Sequence, residues 1–90
     1  MKLRIDRPQF ERLRDAGVFY KSDNGNEYVP KDIGRLWEWC CRGRCVTIST
    51  LNSDTIASWH RENTGVVTCT QLELIDTLVD LAELIAKETT

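Results

Sequence analysis

The chain has one histidine, two prolines and five glycines in 90 residues, and it contains no C-x-x-C, no H-E-x-x-H and no glycine-rich phosphate loop. These shortages remove whole classes of chemistry. Thioredoxin-like redox, zincin hydrolysis and P-loop nucleotide binding each need one of the missing patterns. A cysteine nucleophile needs a base and an orienting group, and His60 is the single imidazole on offer. No enzymatic activity is expected.

No apolar run is long enough to span a bilayer, and MKLRIDRPQF interrupts itself with charges every second or third residue, so it cannot act as a signal-peptide core. A cytoplasmic location is therefore expected, with Cys40, Cys41, Cys45 and Cys69 reduced. There is no repeat, low-complexity tract or linker. Residues 1–90 read as one domain of ordinary globular composition.

Charge is present but unevenly placed. Residues 1–45 carry ten Lys/Arg against seven Asp/Glu, and residues 46–90 carry two against seven, so the halves stand at +3 and −5 within a net −2. Either the fold presents two electrostatically different faces, or it pairs the halves and cancels the difference.

Turn signals keep the elements short until the last. Leu3 and Ile5 share one side of a possible edge strand. Asp6 and Gln9 form a capping box with Pro8 in the first turn, opening a short helix that Gly17 stops. Residues 18–21 read as a strand that Asn24-Gly25 turns back through Tyr28-Val29. Asp32 caps a second helix with Ile33, Leu36, Trp37 and Cys40 on one face, ending at Gly43. CVTISTL, residues 45–51, is the best strand. Residues 54–64 fit a short helix after the Asn52-Ser53-Asp54 cap cluster, or a strand and turn; the cap cluster favours the helix. Thr70 and Glu73 suggest a second capping box opening the longest helix, from Gln71 to about Lys87. The expected fold is α+β: a small, mainly antiparallel sheet packed against a long C-terminal amphipathic helix, with one to three shorter helices.

Three features carry candidate chemistry. Residues 35–45 concentrate Arg35, Trp39, Arg42 and Arg44; Trp39 sits roughly 160° around the helix from core-facing Trp37, so it either anchors a partner or packs under the hairpin. Glu73, Asp76, Asp80 and Glu83 form an acidic stripe on the last helix, either simply solvated or aimed at a basic partner as in a nucleic-acid mimic. Cys40, Cys41, Cys45, His60 and Cys69 supply soft ligands, but their spacing lacks the paired knuckles of zinc sites. A helix-turn-helix over residues 54–78 is disfavoured, since its recognition helix would be the acidic one.

The expectation is a small non-enzymatic binding protein that regulates or inhibits a protein partner, of the accessory kind common in phage and mobile-element genomes, with no cofactor and no membrane partner. Its partner-binding residues would be Arg35, Trp39, Arg42, Arg44, Glu73, Asp76, Asp80 and Glu83. Two alternatives stand beside it: nucleic-acid binding through the Arg/Trp-rich N-terminal half, and a small zinc-binding domain. Homodimerisation through the wide apolar face of the last helix is a further possibility.

Overall fold

The computed structural model describes residues 2–62 and 64–89. Asp6 caps α1 (Arg7–Ala16) by accepting from the Gln9 amide at 2.9 Å, while the Gln9 side chain accepts from the Asp6 amide at 3.0 Å. Gly17 closes this helix at φ +85°, a left-handed conformation that glycine adopts without steric penalty. A minimal hairpin follows, β1 (Tyr20–Lys21) with β2 (Glu27–Tyr28), and then α2 (Ile33–Cys41), capped by Asp32. β3 (Cys45–Leu51), β4 (Asp54–Arg61) and β5 (Gly65–Gln71) form an antiparallel meander in that order, and α3 (Leu74–Thr89) returns across it. The architecture is α+β, as the hydrophobic patterning requires.

Residues 54–61 are a strand, not the expected helix. Burial alternates along β4, with Thr55, Ala57 and Trp59 turned inward, and the Asn52-Ser53 pair is a hairpin turn with φ of 52° and 71°. Asn and Ser serve both helix caps and tight turns because their short polar side chains satisfy local backbone groups in either setting. The same strand pairing moves the start of α3: Thr70 lies opposite Ile56 in the sheet, so it caps nothing, and the helix begins at Leu74. The expected edge strand at Lys2–Ile5 shrinks to a single bridge between Arg4 and Asp32.

The core lies between α3 and one face of the sheet. Ile75, Leu78, Val79, Leu81, Ala82 and Ile85 are fully buried against Leu13 of α1, Leu36 and Cys40 of α2, and Ala57 and Trp59 of β4. The broad apolar face of α3 is thus packed within the chain. Fully buried Thr77 ties helix to sheet, its hydroxyl lying 2.9 Å from the Glu73 carbonyl and 3.3 Å from that of Thr55.

Helices and sheet do not overlap completely. α3 lies across β4 and β5, whereas α2 packs mainly on α3 and only touches β3. The opposite sheet face, with Thr47, Ser49, His60, Thr68 and Thr70 exposed along it, is left to solvent.

Candidate functional site

The connection from α2 to β3 is a sharp turn. Arg42 has φ −63° and ψ 110°, Gly43 has φ +66°, and the Arg44 amide donates to the Cys41 carbonyl at 3.1 Å. These are the angles of a type II turn with glycine where the left-handed residue must stand. The turn therefore places Arg42 and Arg44 on either side of Gly43 at the mouth of β3.

Both arginines are held. The Arg44 guanidinium lies 5.2 Å from the Trp39 ring centre, and its Nη1 donates to the carbonyls of Trp39 at 3.2 Å and Arg42 at 3.1 Å. Among the described residues no carboxylate pairs with Arg44, and its Nε and Nη2 donors have no acceptor. That leaves the edge of the guanidinium that accepts a carboxylate side-on with two parallel hydrogen bonds. Arg42 likewise has no carboxylate partner among the described residues; it and Arg35 flank Tyr20, at 5.8 and 5.3 Å from its centre. Tyr20 donates to Glu38 at 3.0 Å, and this bond holds the phenol proton above its ordinary pKa. Arg35 also reaches Glu38 at 3.7 Å. Trp39 is half-buried beneath Arg44. Arg35, Trp39, Arg42 and Arg44 thus form one arginine–aromatic surface with Tyr20, a residue that sequence spacing alone does not connect to them.

The acidic stripe has a different setting. Glu73, Asp76, Asp80 and Glu83 are all half-buried and face the N-terminal segment and α1. Asp76 accepts from Lys2 Nζ at 3.1 Å and from the Gln9 amide group, and Glu73 accepts from the Lys2 backbone at 3.3 Å. Arg12 reaches Asp80 at 2.9 Å and Glu83 at 3.1 Å, and its pKa is held above the usual arginine range chiefly by the bonds to Glu83 and then Asp80. The opposite charges of the two halves meet here. Folding cancels much of the asymmetry that the sequence displays; among the described residues Arg42 and Arg44 at the α2–β3 turn are left without a carboxylate partner, as are Arg4, Lys21 and Lys31 elsewhere.

The cysteines scatter. Cys40 is buried and its thiol donates toward the Leu78 carbonyl at 3.8 Å; burial pushes its pKa up to about 12. Burial raises Cys41 and Cys69 as well, Cys41 also through its neighbour Cys45. Cys45 lies directly across from His60 on the open sheet face, where His60 Nε2 is 3.1 Å from the Thr47 hydroxyl. Among the described residues no three Cys, His, Asp or Glu side chains gather as a metal site would require.

One cleft adjoins the turn and a smaller one lies toward the other end of α2. The larger, about 870 Å³, opens between Arg44, Cys45, His60, Arg61 and Glu88, with Arg61 stacked on Trp59 at 5.5 Å and paired to Glu88 at 2.7 Å. Reading residues 54–64 as a helix hides this arrangement, because only strand pairing brings residue 60 beside residue 45. The smaller, about 310 Å³, is a groove between α2 and β3.

No family model, no curated protein and no solved structure matches the chain.

Proposed function

We propose that the chain is a non-enzymatic binding protein that docks on a carboxylate-bearing protein partner and regulates or inhibits it. The observation that supports this reading is the state of Arg44: stacked on Trp39, tied to two backbone carbonyls, and left among the described residues with an unused Nε/Nη2 edge. A pre-ordered guanidinium loses little conformational entropy on binding, and arginine beside aromatic rings is the composition of interface hot spots. Arg42 adds a second uncompensated cation within two residues.

Nucleic-acid binding is the second reading, since the same two cations suit phosphate. It is the weaker one because base stacking needs open aromatic faces, and Tyr20 and Trp39 are already covered by guanidinium groups. Affinity capture from an extract of the source cells, with and without nuclease, separates the two. A protein recovered equally from both supports the first reading; nuclease-sensitive recovery with a steep salt dependence supports the second.

A further inference from the structure

The groove beside β3 shows how such a partner would be held. Among the described residues β3 pairs only with β4, so its other edge has no strand, and CVTISTL carries none of the charges, prolines or bulges that protect natural sheet edges. Helices pack about 8–10 Å apart and strands about 4.8 Å apart. With α3 across β4 and β5, α2 falls over the outer side of β3, above the place a fourth strand would fill.

The side chains there are left incomplete. Ile33 and Trp37 of α2, Ile48 of β3 and Leu74 and Leu78 of α3 line a groove walled almost wholly by carbon, and Ile48 remains 37% exposed although it points to the helix side of the sheet. Gly34 forms part of the same wall. Nothing in the fold demands glycine at this helical position: a Cβ would meet only Asp32 Oδ1, at 3.5 Å. Glycine is the weakest helix former after proline, and here its effect is to keep the groove open.

We infer that the groove and the β3 edge together bind an extended segment of the partner by strand addition. This rests on the protein-binding reading above and specifies its chemistry. Main-chain bonds run along β3, and alternate side chains enter the groove. The residue opposite Ile48 is apolar. Four residues along, about 13 Å away on the same face, the strand passes Arg44, whose free guanidinium edge selects a carboxylate. The recognised segment is thus uncharged and apolar at alternate positions, with an aspartate or glutamate four residues from the groove-filling side chain. A second copy of this chain fits less well, because two α2 helices would then compete for the space over one pair of strands.

The probe is a capped nine-residue peptide with isoleucine third, valine fifth, glutamate seventh and threonine elsewhere, titrated into the full chain. Binding should slow amide exchange at every second residue of β3. Gly34→Leu, which fills the groove from a site that accommodates a side chain, should weaken binding at least tenfold without lowering Tm. Arg44→Gln should abolish the preference for this peptide over its glutamine counterpart. Absence of β3 protection, full binding by Gly34→Leu, or a free protein that runs at twice 10.4 kDa with β3 already protected would each overturn the inference. Should Arg42→Glu/Arg44→Glu eliminate partner capture while Gly34→Leu leaves it intact, strand addition fails and the arginine surface stands; the converse result rejects the arginine surface alone.

Discussion

Arg12 of α1 donates to Asp80 of α3 at 2.9 Å, joining two residues 68 apart in sequence and pairing the acidic stripe with the basic N-terminal half of the chain. The guanidinium also reaches Glu83, and both carboxylates are half-buried beneath it. Arg12→Ala leaves Asp80 without its cation and Glu83 with only Lys87, at 3.6 Å. Because Arg12 is itself 43% exposed, solvent screening keeps the cost to about 1 kcal/mol. For a domain of this size that lowers Tm by roughly 4–8 °C, measurable by calorimetry, and the loss should shrink in high salt.

Thr77→Val preserves the volume of a fully buried side chain and removes its hydroxyl. The hydroxyl's bonds to the Glu73 carbonyl at 2.9 Å and the Thr55 carbonyl at 3.3 Å are then both lost, at an expected cost of about 1 kcal/mol by chemical denaturation with an unchanged m value.

Gly43→Ala places a Cβ at φ +66°, where no neighbouring atom obstructs it but the backbone conformation itself is strained. A loss of about 1 kcal/mol is expected. Since the turn sets the positions of Arg42 and Arg44, partner affinity should fall as well, which separates this variant from Thr77→Val.

The thiols should react in order of access. At pH 8, alkylation followed by mass spectrometry should mark exposed Cys45 first, Cys41 and Cys69 more slowly, and Cys40 only on unfolding. The raised pKa of Cys40 also fixes a sign. Its contribution is fully present below pH 9, where the thiol is protonated in both states, and is lost as pH rises toward 12, where only the unfolded chain ionises freely. Chelator treatment should leave Tm unchanged; a drop would revive the zinc reading.

Much of this fold is legible in the sequence because local chemistry and tertiary packing agree. The Asp6–Gln9 capping box, the Gly17 stop and the strand at residues 45–51 all appear where the residues indicate. Residues 52–61 are not legible, since Asn52-Ser53 suits a cap or a turn and the strand period is set by burial against α3, which lies distant in sequence. The candidate surface divides in the same way. Arg35, Trp39, Arg42 and Arg44 lie within ten residues and are visible as a cluster, but the sequence does not show that Tyr20 joins them or that Lys2 and Arg12 neutralise the stripe.

On the proposed function, the Arg42–Gly43–Arg44 turn makes the contact with a carboxylate-bearing protein. Its most direct test is the Kd of the nuclease-resistant partner for the wild-type chain and for Arg42→Glu/Arg44→Glu, with circular dichroism confirming that both fold. The expected result is an affinity weakened on the order of 100-fold with Tm nearly unchanged. An unchanged Kd in the folded variant would contradict the claim.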